Sequence, residues 1–347
     1  MIYVHVPFCH RKCTYCAFYS KVESGTWKVE SYVDALLQEM EVRKGEQAHP
    51  IRTVYFGGGT PSILPIEQLT RIVAGLRRCF DLSQVEEMTL EANPEDLKPE
   101  YLSALRELGF NRLSIGIQSF DDRVLRMLNR RHTAAQAITA VENARTAGFD
   151  NISVDFIFGL PEISTFNFQL STLVTHVSAY ALTVEPGTAL AVQVEQGRVT
   201  LPDEDEVVRQ YHELHRLFEA AGFRQYEVSN YARPGYESKH NSRYWDRTPY
   251  LGLGPAAHSF DGKRRRWNNP DGSWSQETLT ATDAYNELLM TALRTVRGLP
   301  AAAVPEGEKK KLQPYLDCSW LVLQDGIYRP TVEGLLHADG MAASLFV

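Results

Sequence analysis

Three cysteines, Cys9, Cys13 and Cys16, lie within eight residues near the start of the chain, in the spacing CxxxCxxC. Thiolates are soft ligands that suit iron–sulfur clusters, zinc or copper(I). A structural zinc site or an electron-transfer [4Fe–4S] cluster takes four protein ligands, and the other two cysteines are remote in sequence. Three thiolates would leave one iron of a cubane open for another ligand. A zinc site completed by His10 is the alternative.

Two further segments carry groups that could bind a ligand. The glycines of Gly57–Pro61 permit positive φ angles and a close approach of a ligand to the main chain. The segment is not a phosphate-binding P-loop, because no Gly-Lys-Ser/Thr follows it. Glu91 stands at the end of a predicted strand, where its carboxylate could accept hydrogen bonds from ligand hydroxyls. A helix-capping role is the alternative for Glu91.

The HNxxYW element, His240 to Trp245, combines an imidazole with two aromatic rings. Imidazole is a common axial ligand of haem iron, and aromatic rings supply apolar area for a porphyrin face. The alternative is that His240 caps a loop through a hydrogen bond while the aromatic rings belong to the core. The basic run Lys263–Arg266 is either a solvated loop or a site for anionic carboxylates such as propionates.

Six apolar runs separated by helical patterns must position these groups. The predicted strands are Ile2–Val6, Thr53–Phe56, Met88–Glu91, Leu113–Ile117, Ile152–Phe158 and Ala179–Thr183. The predicted helices between them are Val33–Arg43, Ile66–Cys79, Glu100–Leu108, Thr133–Ala147 and Phe166–His176. Continuous apolar runs are typical of parallel strands covered by helices. The pattern predicts a partial or full barrel or a doubly wound sheet, each with its site at the carboxyl ends of the strands.

The alternation of predicted strands and helices ends after about residue 190. Asp203–Ala221 and Ala284–Val296 read as helices, and two short strands flank Gly326 near the end of the chain. We therefore predict three parts: residues 1–190 as the barrel, residues 191–275 as a closing segment that contains the HNxxYW element, and residues 276–347 as a small α+β domain.

Composition bounds the class of protein. The 347 residues include 43 acidic and 36 basic side chains, for a net charge of −7, which argues against general nucleic-acid binding. No apolar run is long enough to span a bilayer, and the first residues do not resemble a signal peptide. We expect a cytoplasmic protein without a transmembrane segment, and association with a membrane surface stays open.

The cysteine loop, placed directly after the first strand, resembles the defining loop of the radical S-adenosylmethionine (radical SAM) superfamily. The resemblance implies that Cys9, Cys13 and Cys16 bind a [4Fe–4S] cluster. It further implies that the amino and carboxylate groups of SAM chelate the open iron, and that an electron from the cluster cleaves SAM to a 5′-deoxyadenosyl radical.

Several other segments narrow the resemblance to the coproporphyrinogen-dehydrogenase branch, which holds the oxygen-independent coproporphyrinogen III oxidase and a group of haem chaperones. These segments are Tyr3–Cys9, Gly57–Ser62, Glu91–Pro94, Ser114–Phe120 and Val154–Pro161. The resemblance implies that SAM is bound by Tyr3, Tyr15, Gly58, Gly59, Thr60 and Glu91. It also assigns Gln118, Arg130 and Asp155 to positions that in the oxidase serve a second SAM, and leaves open whether this chain binds one.

Two departures from the oxidase favour the haem chaperones. The oxidase continues its loop as CxxxCxxCxC, whereas Phe18 stands here in place of the last cysteine, and Cys9 comes almost at the start of the chain. In the chaperones the HNxxYW element is linked to haem, which implies His240 as a haem-binding residue. The expected partners are haem, the proteins that receive it and an electron donor to the cluster. Oxidative decarboxylation of coproporphyrinogen III is the alternative function.

The resemblance also chooses among the predicted architectures. We expect an α/β fold, namely a partial (βα)6 barrel with a small α+β C-terminal domain, because six strand candidates precede the change of rhythm. An open barrel would leave a lateral cleft wide enough for a flat macrocycle. The resemblance favours a chaperone that retains the capacity to cleave SAM over a decarboxylase.

Overall fold

A computed structural model of the chain describes residues 1–22, 29–46, 49–161 and 168–347. Its strands, in chain order, are β1 (Ile2–Val6), β2 (Phe8–Cys9), β3 (Lys21–Val22), β4 (Thr53–Gly58), β5 (Glu87–Ala92), β6 (Arg112–Gln118), β7 (Asn151–Phe158), β8 (His176–Ala181), β9 (Arg224–Gln225), β10 (Asn230–Ala232), β11 (Leu251–Leu253), β12 (His258–Phe260), β13 (Arg264–Asn268), β14 (Trp274–Thr278), β15 (Leu299–Pro300), β16 (Leu321–Gln324) and β17 (Ile327–Pro330). Its helices are α1 (Val29–Arg43), α2 (Ile66–Cys79), α3 (Pro99–Leu108), α4 (Asp122–Met127), α5 (Ala134–Thr146), α6 (Phe168–Ser171), α7 (Ala189–Glu195), α8 (Glu204–Ala220), α9 (Lys239–Trp245), α10 (Ala281–Ala292), α11 (Gln313–Asp317), α12 (Val332–Leu336) and α13 (Ala338–Ser344).

The main sheet is built from the strands β1, β4, β5, β6, β7 and β8, which lie side by side in that order and run parallel. Strand β11 extends the sheet in parallel beyond β1, and β10 and β9 extend it in the antiparallel sense beyond β8. Among the described residues β11 and β9 do not pair with each other, so the sheet stays open. The fold is therefore the expected α/β partial (βα)6 barrel.

Helix α5 illustrates why the sequence forms these elements where it does. The side chain of Thr133 accepts a hydrogen bond from the backbone N–H of Gln136, and the Gln136 side chain accepts one from the N–H of Thr133. This capping box satisfies N–H groups that have no partner inside the helix. Gly148 follows the helix with a φ of 86°, a left-handed conformation that stops further helical growth. These local features set the two ends of α5, which coincide to within one residue with the predicted helix Thr133–Ala147.

The first five predicted strands overlap observed parallel strands, but the sixth prediction, Ala179–Thr183, is wrong by about three residues at its start. Strand β8 begins at His176, whose imidazole lies between the hydroxyls of Ser153, at 2.7 Å, and Tyr226, at 2.8 Å. A buried polar residue that finds its partners inside the fold does not belong to an apolar run. Reading for apolar runs therefore placed the strand too late.

The predicted helix Phe166–His176 lies partly outside the described residues. Its described part contains the short helix α6, and its last residue belongs to β8, so the predicted C-terminal end is wrong. The predicted helix Ile66–Cys79 coincides with α2, whereas Ala284–Val296 lies a few residues beyond α10. None of the helices among the described residues is long and apolar enough to cross a membrane.

The described residues form two large hydrophobic cores and a small third cluster of Val124, Leu128, Ile157 and Leu160. The first contains buried side chains from Ile2 to Leu253, and the second contains side chains from Leu289 to Leu345. The second core lies within the part predicted at residues 276–347, where β15, β16 and β17 form a small antiparallel sheet. The boundary predicted after residue 190 falls inside the first core, because side chains of α8 pack with those of the barrel.

Candidate functional site

The loop that carries the three cysteines begins where β1 ends and therefore lies at the carboxyl ends of the parallel strands. The short parallel pairing of β2 with β3 closes this loop at its base, and the N–H of Lys21 donates to the carbonyl of Pro7 at 2.7 Å. Cys9, Cys13 and Cys16 are all partly buried. The expected location of the cysteines at this end of the barrel is confirmed.

Neighbouring elements hold the loop in place through Thr14. Its N–H donates to the carbonyl of Leu128 at 3.2 Å, and its hydroxyl donates to the carbonyl of Met127 at 3.1 Å. Its own carbonyl accepts a hydrogen bond from the N–H of Leu190 at 2.8 Å. The end of α4 and the start of α7 therefore fix the middle of the cysteine loop, although both are distant in sequence.

Two polar side chains reach the cysteine sulfurs. The Thr60 hydroxyl lies 3.5 Å from Sγ of Cys9, and an Arg130 guanidinium nitrogen lies 3.4 Å from Sγ of Cys13. Asn93 joins them, since its amide nitrogen lies 3.4 Å from the Thr60 hydroxyl and its amide oxygen accepts from Arg130 at 2.6 Å. A cation and a hydroxyl that donate toward sulfur stabilise the thiolate form. The network is therefore suited to thiolates that bind metal.

The thiol of Cys16 resists ionisation in the protein without metal. Burial raises the pKa of Cys16, and the neighbouring Cys13 and Cys9 raise it further. Deprotonation of such a group is coupled to metal binding. Among the described residues no three His, Cys, Asp or Glu side chains converge on a point that one metal ion could occupy. A cubane instead takes one thiolate at each of three irons, so the donor set fits a cluster with one open iron.

The backbone N–H groups at three successive positions of the glycine segment, Gly58 to Thr60, are all bonded to protein acceptors. This distinguishes the segment from a phosphate-binding loop. Each N–H already donates to the protein: Gly58 to a carboxylate oxygen of Glu91 at 3.2 Å, Gly59 to the carbonyl of Val6 at 2.8 Å, and Thr60 to the carbonyl of Phe8 at 2.7 Å. Anion sites of the P-loop type need such groups to point at the ligand. The segment is therefore attached to both β1 and the cysteine loop.

Two of these glycines admit no side chain. Gly58 has a φ of 111°, and a Cβ built on it would lie 2.7 Å from the ring of His5. A Cβ on Gly59 would lie 2.5 Å from the carbonyl oxygen of Phe8. The contact at Gly59 would require backbone to move, and the one at Gly58 would require the His5 ring to move, so the close approach of the segment to the cysteine loop depends on glycine.

Glu91 is held at both carboxylate oxygens. The hydroxyl of Tyr55 donates to Oε1 at 2.8 Å, while the N–H of Gly58 donates to Oε2. Burial raises the pKa of Glu91 to about 7, helped by the charge of Asp155 and opposed by the hydrogen bond from Tyr55. Tyr3 stacks on Tyr55 with ring centroids 6.1 Å apart. Glu91 is therefore a preorganised acceptor whose charge changes near neutral pH.

Strands β6 and β7 contribute Gln118 and Asp155, and the segment after α4 contributes Arg130. Gln118 has a φ of 70° at an irregularity in the pairing of β6 with β7. Arg130 donates to the carbonyl of Gly116 at 2.6 Å, and the Ser114 hydroxyl donates to Asp155 at 3.1 Å. Burial raises the pKa of Asp155. The structure brings these three residues toward the cysteine loop, with Arg130 in direct contact with it.

Tyr15 lies inside the cysteine loop. Burial raises the pKa of its phenol, while the charge of Arg130 opposes this and the adjacent thiols of Cys13 and Cys16 add to it. These interactions place the Tyr15 phenol beside Arg130 and the thiols. The predicted SAM-binding residues Gly58, Glu91 and Gln118 lie at or next to the carboxyl ends of β4, β5 and β6, whereas Tyr3 and Asp155 lie within β1 and β7.

Sequence reasoning missed three residues that support this site. Asn93 and Tyr55 make the hydrogen bonds described above, and Arg112, the first residue of β6, is only 1% exposed. The Nε of Arg112 has no hydrogen-bond partner among the described residues. Its charge favours ionisation of Glu91 and Asp155, opposing the effect of their burial. The available signal for Arg112 was a lone charge at the start of an apolar strand.

His240 lies deep in the fold, with only 1% of its surface exposed. Its Nδ1 lies 2.8 Å from the hydroxyl of Thr53, and its Nε2 lies 3.1 Å from the hydroxyl of Tyr244. Its backbone N–H donates to Glu87 at 2.8 Å. Burial, followed by the positive charge of the N-terminal amine, lowers the pKa of the imidazole to about 3. Both ring nitrogens are therefore occupied.

His240 also lies at the other end of the barrel from the cysteines. Thr53 and Glu87 are the first residues of β4 and β5, so they mark the amino ends of the strands. The ring of His240 lies 5.0 Å from that of Tyr55, whose hydroxyl donates to Glu91, so His240 is one side chain removed from Glu91. To bind iron, His240 would have to break its hydrogen bond with Tyr244 or Thr53. The side chains packed around it would also have to move apart.

The three arginines of the basic run Lys263–Arg266 each pair with a carboxylate. Arg264 pairs with Asp261 at 2.9 Å, and Arg265 pairs with Glu277 at 3.2 Å. Arg266 pairs with Glu46 at 3.2 Å and lies over the ring of Trp274 at 4.5 Å. A role in binding haem propionates would require these arginines to exchange partners, so the structure favours the solvated-strand interpretation.

Comparisons with known proteins agree with this geometry. The family model described as the radical SAM superfamily matches residues 3–165. The heme chaperone HemW of Mycobacterium tuberculosis is 35% identical over 99% of this chain and 94% of that protein, and HemW of Bacillus subtilis is 39% identical over 77% and 72%. A bovine mitochondrial protein named radical S-adenosyl methionine domain-containing protein 1 is 37% identical over 99% of this chain and 86% of that protein.

Among solved structures, the coproporphyrinogen III oxidase HemN of Escherichia coli superposes with a TM-score of 0.84. The match covers 100% of this chain and 89% of the oxidase at 23% sequence identity, which establishes the shared fold. The near full-length sequence similarity is to proteins named as HemW haem chaperones, and the fold is shared with HemN. The chain therefore belongs to the radical SAM superfamily and, within it, to the family of the HemW haem chaperones.

Proposed function

We propose that this protein is a haem chaperone that binds a [4Fe–4S] cluster, SAM and haem, and delivers the haem to haem-dependent proteins in the cytoplasm. The observation that carries the proposal is the three-cysteine loop with Thr60 and Arg130 donating toward its sulfurs. Its relatives over almost the whole chain bear the name of haem chaperones.

Cys9, Cys13 and Cys16 would hold the cluster, whose chemistry when bound is the supply of one electron to SAM from an external donor. The protein's own contribution is electrostatic, since donors from Thr60 and Arg130 favour the thiolate form of the ligands. These contacts also keep the loop against the glycine segment.

SAM would lie at the opening formed by the predicted contact residues Tyr3, Tyr15, Gly58, Gly59, Thr60, Glu91, Gln118, Arg130 and Asp155. The carboxylate of Glu91 is held by Tyr55 and Gly58, so its orientation is set before a ligand arrives. Such preorganisation lowers the entropy lost on binding. The two ribose hydroxyls of SAM would donate hydrogen bonds to this carboxylate.

Haem is the proposed cargo, and His240 is the iron ligand that the family resemblance suggests. His240 could serve only after a rearrangement, because both of its ring nitrogens contact protein hydroxyls. A tightly packed histidine of this kind also stabilises the fold. The HNxxYW element therefore supports the barrel at its amino end, whether or not it meets haem.

The function can be tested with anaerobically reconstituted protein supplied with SAM and a strong reductant. Coproporphyrinogen III and haem are offered in separate reactions, and protoporphyrinogen formation and the haem Soret band are recorded. A Cys13→Ala variant, which lacks one cluster ligand, is the matched control for all chemistry that needs the cluster. A haem-loaded sample is then mixed with an apo haem protein to follow release.

We expect stoichiometric haem binding, transfer to the apo protein and no protoporphyrinogen. Sustained turnover of coproporphyrinogen in the wild type, absent in Cys13→Ala, would instead make the protein an oxidase. The shared fold with HemN is the observation that makes this comparison necessary.

A further inference from the structure

We propose that Arg112 binds the carboxylate of a ligand held inside the barrel, and that haem, through one of its propionates, is this ligand. The inference deepens the proposed function and rests on it. It follows from the burial of the Arg112 side chain, from its lack of a partner in the protein and from its place in a row of polar residues inside the barrel.

Arg112 is a fully buried arginine without a partner. Only 1% of its surface is exposed, and among the described residues its guanidinium makes no hydrogen bond and no ion pair. Arg43 is equally buried, but its guanidinium nitrogens lie 3.0 Å from Glu39 and 2.8 Å from Glu46. They also donate to the carbonyl of Gly252 at 2.7 Å. Because a buried charge without a partner is costly, the guanidinium of Arg112 is suited to an anionic ligand.

The two strand neighbours of Arg112 also lack partners. Strand pairing places Thr89 of β5 on one side of Arg112 and Asn151 of β7 on the other. The hydroxyl oxygen of Thr89 and the amide oxygen of Asn151 are buried and have no hydrogen-bond partner in the described part of the chain. Since most buried polar atoms are bonded, three such neighbours in one row point to a ligand-binding surface. The Thr89 hydroxyl and, after a half-turn, the Asn151 amide are donors that a carboxylate accepts.

This row faces the interior of the barrel. Side chains alternate between the two faces of a strand, and those of Leu113 and Ile115 belong to the large core that the strands share with the helices. Ser114, on the same face as Arg112, donates to Asp155 of β7. Burial raises the pKa of Asp155, and the charge of Arg112 opposes this effect. Arg112 therefore points away from the helices and into the barrel.

The position of Arg112 separates it from the carboxylate of SAM. Arg112 is the first residue of β6, whereas Gly116 lies four residues later. At about 3.3 Å per residue, the Cα atoms of these two residues are about 13 Å apart. The carbonyl of Gly116 accepts a hydrogen bond from Arg130, which contacts Cys13. A SAM carboxylate on the open iron would lie at this higher level, so the carboxylate at Arg112 belongs to another ligand.

The same row leads to His240, the residue that the family resemblance links to haem. Tyr55 of β4 pairs with Thr89, and its ring lies 5.0 Å from that of His240. Two strand spacings separate Tyr55 from Arg112, so their Cα atoms are about 10 Å apart. A porphyrin with its propionates is wide enough to span this distance. A guanidinium binds a carboxylate through paired, charge-assisted hydrogen bonds, which makes a haem propionate a fitting partner for Arg112.

The test compares the binding of ferric haem with that of haem dimethyl ester, in which both propionates are blocked, by anaerobically reconstituted proteins. We expect the wild type to prefer haem and Arg112→Gln to bind haem about tenfold more weakly, which corresponds to about 1.4 kcal/mol. The affinity of Arg112→Gln for the ester should change little, so its preference for haem should largely disappear. Arg216→Gln, which removes an exposed arginine of α8, is the matched control and should keep the wild-type preference.

Thr89→Val keeps the proposal testable if Arg112→Gln does not fold. This change preserves the shape of a side chain whose hydroxyl has no hydrogen-bond partner among the described residues. We expect its thermal unfolding to match that of the wild type. Its affinity for haem should fall by about threefold, with no change for the ester, because one donor to the propionate is lost.

A second arm identifies the source of the carboxylate by comparing SAM with decarboxylated SAM in calorimetric titrations. We expect Arg112→Gln to keep the wild-type preference for SAM. A loss of that preference, with the preference for haem over its ester intact, would assign the carboxylate to SAM and overturn the proposal for haem.

An undiminished preference for haem over its ester in both Arg112→Gln and Thr89→Val would overturn the proposal and leave the chaperone function standing. Absence of saturable haem binding by the wild type would instead refute the proposed function, and the role of Arg112 with it.

Discussion

Arg130 and Cys13 are in contact across 117 positions of sequence, with a guanidinium nitrogen 3.4 Å from the cysteine sulfur. The same guanidinium donates to Asn93 and to the carbonyl of Gly116. These bonds fix the cation where a thiolate needs it, independently of the loop's own sequence. Strands β5 and β6 thereby help to define the proposed cluster site, which the cysteine spacing alone would assign to one loop.

Replacing Arg130 should weaken the proposed cluster site without unfolding the barrel. Arg130→Ala removes the cation beside Cys13, and Arg130→Lys retains a charge but not the forked contacts to Asn93 and Gly116. We expect both variants to hold less iron and sulfide per chain after reconstitution and to lose it faster in air. Arg131→Ala is the control, because that exposed arginine lies 3.6 Å from Glu95 and does not contact the loop. Iron content equal to wild type in both Arg130 variants would contradict the account.

A methyl group at Gly59 should separate the glycine segment from the cysteine loop. The new Cβ would lie 2.5 Å from the carbonyl oxygen of Phe8, so Gly59→Ala must displace backbone. We expect a loss of about 1–3 kcal/mol in unfolding free energy, together with poorer iron incorporation. Gly307→Ala, where a Cβ meets nothing within 4 Å, is the matched control. Equal denaturant midpoints for the two variants would show that the glycine segment accommodates the methyl group without loss of stability, which would contradict the prediction.

The affinity for SAM should depend on pH through Glu91. Burial raises the pKa of this carboxyl to about 7, and hydroxyl donors prefer the ionised form. Calorimetric titrations should therefore show SAM affinity falling as the pH drops through about 7. Glu91→Gln should bind SAM more weakly at pH 8 and lack this inflection.

Tyr55→Phe provides the internal control for the Glu91 assignment. It removes the hydrogen bond that lowers the pKa of Glu91, so the inflection should move to higher pH. An inflection that persists in Glu91→Gln would assign the titration to another group.

His240 should make the fold sensitive to acid. Its imidazole has a pKa of about 3 in the folded protein against about 6.5 when unfolded, so above pH 6.5 both states are neutral. As the pH falls below 6.5, His240 becomes protonated in the unfolded chain but stays neutral in the folded chain. Stability should therefore drop by up to about 1.4 kcal/mol per pH unit until the pH approaches about 3.

Urea unfolding of wild type and His240→Gln at pH 7, 6 and 5 measures this contribution as a difference of slopes. His240→Gln should be less stable at pH 7, because it loses contacts to Thr53 and Tyr244, but should lose less stability on acidification. Identical slopes would mean that the imidazole titrates freely in the folded protein.

Local patterns were sufficient to predict the elements that position the site. Apolar runs located all six parallel strands, although the start of β8 was placed three residues late, because an apolar run lies within the strand that it specifies. The surroundings of His240 could not be predicted in this way. Its partner Thr53 is 187 positions away and is polar, so nothing near the HNxxYW element reveals that both nitrogens are occupied.

The site residues likewise divide into those that local patterns predict and those that depend on contacts between distant parts of the chain. Cysteine spacing and the glycine run identified the loop because these residue types have few other uses. Asn93 belongs to the segment Glu91–Pro94 that carries the resemblance, but its contacts with Thr60 and Arg130 could not be predicted, because both partners are distant in sequence.

The most direct test of the central claim is the stoichiometry of haem binding by the cluster-containing wild-type protein, measured by anaerobic titration at the Soret band. The account predicts saturation at one haem per chain, with the spectrum of a histidine-ligated iron. A linear, unsaturable increase that matches free haem in buffer would contradict it.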